Sequence, residues 1–130
     1  MTEDELERHV ARLRRQGADD GRVEAKAAAG GLSKTVWQTV SAFANTDGGV
    51  VILGLDERNG FAPTPGFQAS SIMSALRHGL ARAPGERPKV QPVPDYEIDR
   101  GNVDGGDVVI LTVEPLRHYE IGRASCRERV

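Results

Sequence analysis

Two adjacent glycines between a helix-forming run and an apolar run restrict this chain more than any other feature in it. The stretch Ser41-Ala-Phe-Ala-Asn-Thr-Asp-Gly-Gly-Val-Val-Ile-Leu-Gly-Leu-Asp-Glu57 reads as the end of a buried helix, a tight turn, an apolar strand and an acidic exit. Val36, Val40, Phe43 and Ala44 recur at helical spacing behind Ser33, a residue suited to the N-cap. Trp37 widens that apolar face, while Lys34, Gln38, Ser41 and Asn45 make a polar stripe on the other side. Val50 to Leu53 is an unbroken β-branched and aliphatic run, as expected of a strand covered on both faces.

The rest of the chain arranges itself around that unit. Thr2-Glu-Asp-Glu5 is a capping pattern, and Leu6, Val10 and Leu13 follow at i, i+4 and i+7, so a helix is predicted over residues 3–16, ending at Gly17. Arg12, Arg14 and Arg15 near its end complement the helix dipole, or else form a basic patch. Residues 22–26 alternate, with Val23 and Ala25 on one face and Glu24 and Lys26 on the other. Together with the helix over 33–45 and the strand over 49–55, they predict a parallel, right-handed βαβ unit. Glu57 to Gly60 suits a hairpin turn toward a short strand near Phe61. A third helix is expected from Ala69 or Ser70 to Ala83, capped by Ser70, with Ile72, Leu76 and Leu80 inward. Pro92 and Pro94 confine residues 89–98 to an edge or bulged strand. Residues 101–106 read as a turn, and Val108 to Val113 as a second buried strand. The fold class is therefore α+β, a mixed sheet of about five strands with flanking helices.

Length matters next. At 130 residues the chain holds one domain with a single core. No apolar run approaches the ~18 residues a bilayer crossing needs, and the N-terminus lacks the apolar segment of a signal peptide. A cytoplasmic protein with no membrane partner is expected. Residues 120–130, Glu-Ile-Gly-Arg-Ala-Ser-Cys-Arg-Glu-Arg-Val, have no periodicity and read as a translated sequencing adapter joined to a truncated frame, which leaves 1–119 as the domain, incomplete at its C-terminus. Cys126, the lone cysteine, goes with that tail, so no thiol chemistry is expected. A formal charge of −2 weighs against a strongly basic nucleic-acid binder, although local clustering decides the field and not the total.

Several chemistries can be weighed from spacing. A phosphate-binding loop runs strand, glycine turn, helix. Around Gly48-Gly49 the order is helix, turn, strand, so these glycines are expected to provide a left-handed cap and a close backbone approach. No cofactor site is expected within these residues. Glu24 on one strand and Asp56 at the end of its neighbour could meet at a rim of the sheet. With Asp19 or Asp20 as a third acid, they could hold Mg²⁺ or Mn²⁺ and activate water; the alternative is that Glu24 pairs with Lys26 or Lys34 and the others are merely solvated. Asn45 either satisfies carbonyls of its own helix end or faces a ligand. Arg22, Lys26, Lys34 and Arg58 are candidate phosphate contacts around it. His9, His78 and His118 are solitary, with no zinc spacing.

The segment Ala-Phe-Ala-Asn-Thr-Asp-Gly-Gly, the strand after it and Gly-Leu-Asp-Glu57 resemble the signature of the Schlafen-type AlbA domain, with Val23-Glu-Ala-Lys26 standing where that family has Val-Glu-Phe-Lys. Ala25 departs from the family's aromatic. The resemblance covers about Gly21 to Leu116. It implies an α+β domain that binds nucleic acid, often joined in bacteria to a C-terminal ATP-binding or winged-helix region. Animal Schlafen members include endoribonucleases, which would place Asp19, Glu24 and Asp56 nearest the catalytic acids, with Glu24 and Asp56 as metal ligands. The expected function is accordingly a nucleic-acid-binding module, DNA before RNA, of a bacterial transcriptional regulator or ATP-binding protein. Its contacts would be Arg22, Lys26, Lys34, Asn45 and Arg58, and the fragment itself is more readily non-enzymatic. Two alternatives stay open: a metal-dependent endoribonuclease, and a homo-oligomerising module for a C-terminal ATPase.

Overall fold

Helix α1 (Glu3–Gln16) begins and ends where the capping pattern puts it. The Thr2 hydroxyl accepts from the Glu5 amide at 3.2 Å, and Gly17, left-handed at φ 73°, donates to the Leu13 carbonyl. The computed structural model describes residues 1–18, 21–82, 85, 87–116 and 125–126. In chain order, strand β1 (Val23–Lys26) is followed by α2 (Lys34–Ala44), β2 (Gly49–Leu53), the two-residue strands β3 (Leu55–Asp56) and β4 (Ala62–Pro63), α3 (Ala69–Gly79), β5 (Val90–Gln91), β6 (Tyr96–Val103), β7 (Gly106–Val113) and β8 (Ser125–Cys126). A 3₁₀ turn at Glu57–Asn59 joins β3 to β4.

The main sheet is mixed, in the order β1-β2-β7-β6. β1 and β2 run parallel with Val23 opposite Val50 and Lys26 opposite Leu53, which is the expected βαβ unit. β7 is antiparallel to both β2 and β6. β3 with β4, and β5 with β8, form separate two-stranded pieces. The two strands with uninterrupted apolar runs, β2 and β7, occupy the middle, because only central strands are covered on both faces.

Alternation along those strands sorts the core into two layers. Ile52, Val108 and Ile110 join Val23 and Ala25 against Leu6, Val10 and Leu13 of α1. Val51, Leu53, Val109, Leu111 and Val113 point the other way, against Val36, Trp37 and Val40 of α2 and Ile72 and Leu76 of α3. Helices thus pack on both faces of the sheet, and each fully buried aliphatic side chain contributes roughly 1.5–3 kcal/mol. Among the described residues, no helix is long and apolar enough to cross a membrane.

Four expectations need correcting. α3 ends at Gly79, not Ala83, and its N-cap is Gln68, with no side-chain cap from Ser70; Ala83 itself lies outside the described residues. Residues 101–103 continue β6, so the turn narrows to Asp104-Gly105, both left-handed, and the Asn102 side chain accepts from the Gly105 amide at 3.1 Å. The single strand expected over 89–98 is two, β5 and β6 with residues 92–95 in neither, although β6 does take the expected margin of the sheet. Ser41 is buried with Trp37 and Ala44 at helical spacing, so it leaves the polar stripe that Lys34 and Gln38 keep on the exposed side.

One long-range tie has a pH signature. The α-amino group of Met1 donates to Asp99 on β6 at 2.9 Å, and that hydrogen bond raises its pKa above the ordinary 8.0. A value raised in the fold means that stabilisation is complete below about pH 8 and drains away as pH climbs through the raised value. Asp99→Asn is expected to destabilise the chain at about pH 7 and to matter progressively less toward about pH 10. Urea midpoints of the two proteins across that range check it, and a constant gap between them would contradict it.

Candidate functional site

The glycine turn is a packing device. The Gly48 amide donates to the Phe43 carbonyl at 2.9 Å with φ at 79°, which closes α2 and reverses the chain into β2. A Cβ on Gly48 would lie 2.5 Å from the Val113 carbonyl oxygen, and one on Gly49 would lie 2.7 Å from the Phe43 ring. Thr46 ties the turn down through its hydroxyl, which donates to Ala42 O at 2.9 Å. Asn45 is the C-cap of α2, half-buried, with its backbone N–H donating to the Ser41 carbonyl. Left-handed cap and close approach are both present, as expected of the pair.

Because β1 and β2 are parallel, the residues singled out from sequence fall at two ends of the pair. At the N-terminal end, Arg22 donates to the Asp47 carbonyl at 3.1 Å, near Asn45. A cleft of about 340 Å³ there is lined by His9, Arg12, Arg22, Asp47 and Glu114, among others. At the C-terminal end stand Lys26 and Lys34, on either side of the loop 27–33. That loop lines a second cleft of about 390 Å³, from Lys26 through Gly30-Gly31 to Ser33 and Val36. Its floor is fixed by the Gly54 amide donating to the Lys26 carbonyl and the Thr64 hydroxyl donating to the Ala27 carbonyl, each at 2.8 Å. Arg58 sits on the 3₁₀ turn beyond that end, next to Gly60, whose carbonyl accepts from Arg14 of α1. Arg22 and Asn45 therefore form one group, and Lys26 and Lys34 another.

The second cleft has the strand–glycine–helix order that the Gly48-Gly49 turn lacks, and sequence reasoning passed over it. The signal was the run Lys26-Ala-Ala-Ala-Gly-Gly-Leu-Ser-Lys34, a small-residue loop leading from a strand straight into a helix. Ser33 occupies the N-cap, but its hydroxyl pairs with the Thr35 hydroxyl at 2.7 Å and caps no amide. The first turn of α2 holds no acid. The Lys34 side chain is exposed and has no hydrogen bond or ion pair to any described residue. An uncapped helix start with a lysine in its first turn attracts anions.

The candidate acids are engaged separately. Glu24 points toward α2, where its carboxylate accepts from the Thr39 hydroxyl at 2.5 Å and lies 3.8 Å from Lys26 Nζ. Its Cα is opposite Val51, whereas Asp56 lies past the Gly54 break and accepts from the Arg58 amide at 3.1 Å, capping the 3₁₀ turn. Asp19 is outside the described residues. Among the described residues, no group of three or more His, Cys, Asp or Glu is placed to hold a metal ion.

Known proteins share both the sequence pattern and the architecture. A family model described as Schlafen, AlbA_2 matches residues 19–121. The chain is also similar in structure to the N-terminal domain of a Nitrosomonas europaea protein named for its relation to the ATP-dependent DNA helicase RecG. That likeness has a TM-score of 0.59 at 21% identity and covers 88% of this chain and 76% of the other, which speaks to the fold alone. No curated protein matches the sequence.

Proposed function

We propose that this chain, which belongs to the Schlafen AlbA_2 family, is a nucleic-acid-binding module that takes duplex DNA in preference to RNA. The observation that carries the reading is the cleft at the C-terminal ends of β1 and β2. There the uncapped start of α2 borders a loop of alanine and glycine, and Lys34, exposed and unpartnered among the described residues, is the first residue of that helix. Backbone amides beside a lysine suit a phosphate oxygen. Lys26 lines the cleft, and Arg58 lies on the 3₁₀ turn after β3. Arg22 and Asn45, at the opposite end of the strands, would then contact a separate part of the same duplex. The family supports the nucleic-acid class, and the structural neighbour is itself named for a DNA helicase.

Contacts of this kind hold phosphates and read no bases, so affinity should fall steeply with salt and vary little with sequence. Fluorescence anisotropy with labelled duplexes of unrelated sequence is the test. The expected result is binding at low salt that Lys34→Gln weakens equally on every duplex, with the salt slope shallower by about 1. A chain that leaves the anisotropy of every duplex unchanged at low salt would overturn the reading.

A further inference from the structure

The outer face of α1 carries two arginines, Arg8 and Arg15, that no described residue engages. Arg8, Arg12 and Arg15 stand at i, i+4 and i+7, directly across the helix from the buried Leu6, Val10 and Leu13, and all three are exposed. Arg14, off this stripe, is engaged by the fold, since it donates to the carbonyls of Gly60 and Phe61 and pairs with Asp104 at 2.6 Å. Arg8 and Arg15 make no hydrogen bond or ion pair with any described residue, and this includes Asp4, one turn before Arg8.

The helix dipole explains only part of this. Its reach is the last turn, which accounts for Arg15 and not for Arg8 in the middle of the helix. Arg12 lies four residues from Arg8 and three from Arg15, like-charge spacings that repel, while Asp4 and Glu5 at the N-terminal end of the same face offset part of that charge. Arg22 and His9 continue the basic surface toward β1, sharing a cleft with Arg12. Asp47 and Glu114 line that cleft as well, so the arginines of this surface left without a partner among the described residues are Arg8 and Arg15 on the helix.

From Arg8 to Arg15 the helix rises roughly 10 Å. Adjacent phosphates of one strand are farther apart than their ~3.4 Å rise along the duplex axis, so the span from Arg8 to Arg15 suits two of them. We propose that the outer face of α1 is a second phosphate-contacting surface, laid along one strand of the duplex. This rests on the nucleic-acid reading above and adds a surface to it, on a helix that precedes the residues matching the family model.

The test compares the 130-residue chain with its Arg8→Gln/Arg15→Gln variant, measuring duplex binding against salt, thermal midpoint, and retention on vesicles of anionic lipid. The expected result is a salt slope shallower by about 2 for the variant, with the thermal midpoint little changed, because neither side chain has a partner among the described residues and the dipole contribution lost at Arg15 is offset by relief of repulsion from Arg12. Wild-type binding with the same slope in the variant would overturn this surface while leaving the Lys34 cleft standing. Retention on vesicles that depends on these arginines, without duplex binding, would overturn it in favour of a membrane surface. Absence of wild-type binding to duplex and vesicle alike at low salt would end both readings.

Discussion

Gly48→Ala is expected to lower the stability of the chain by roughly 2–5 kcal/mol, a large share of what a domain of this size holds. Two costs add at this position. The residue must keep φ at 79°, where a side chain is strained by about 1–2 kcal/mol. Its Cβ would also meet the Val113 carbonyl oxygen at 2.5 Å, and that oxygen belongs to the backbone of a central strand, so it cannot swing aside. Overpacking of this kind costs about 1–3 kcal/mol. Gly30→Ala is the matched control, since a Cβ there meets nothing within 4 Å and its φ is not left-handed; it should stay within about 0.5 kcal/mol of wild type. Urea denaturation of the three proteins decides the matter, and equal midpoints for the two variants would mean that the turn tolerates a side chain and that its glycines are dispensable.

The signature that identifies the family is thus largely a signature of packing. Gly48 and Gly49 let α2 turn back so closely that Phe43 lies against the backbone of β2 and the chain passes under Val113. Such a motif certifies the fold. It says less about ligand contacts, and the cleft that supports the proposed function begins elsewhere, at Lys26 and the loop into α2.

What could be read from sequence was whatever local chemistry decides. α1 declares both ends through Thr2 and Gly17, and its buried stripe follows from Leu6, Val10 and Leu13. β1, α2 and β2 declare themselves by a change of hydrophobic period on either side of a glycine pair. What could not be read was set by contacts distant in the chain. Gly101 looked like a turn because glycine weakens strands. In the fold it sits inside β6, where a Cβ would lie 2.7 Å from a Leu6 methyl, so the missing side chain makes room for α1. The candidate contacts suffered from the same limit. Arg22 and Lys26 are four positions apart and read as neighbours, yet a four-residue strand puts them at its opposite ends. Glu24 and Asp56 were paired by topology alone; the register sets Glu24 opposite Val51, and its carboxylate accepts from Thr39 of α2, a contact no spacing announces.

The early end of α3 leads to the other large effect. Trp37, the only tryptophan in the chain, is buried, and its ring fills the space a side chain would need at Gly79, the last residue of α3. Gly79 is a poor helix former, but it lets the ring join the two helices on this face of the sheet. Trp37→Ala should therefore cost roughly 3–5 kcal/mol, from lost burial and the cavity left behind. Gly79→Ala alone should cost about 1–3 kcal/mol, because the ring must be displaced. If the two residues occupy one shared volume, the penalties cannot add: once the ring is gone, the methyl at position 79 meets open space and improves the helix. The double variant should accordingly be more stable than the sum of the singles predicts, by about 0.5–3 kcal/mol. Chemical denaturation followed by circular dichroism measures all four corners of that cycle. Strict additivity would show that α2 and α3 are held by their separate contacts with the sheet and not by the tryptophan between them.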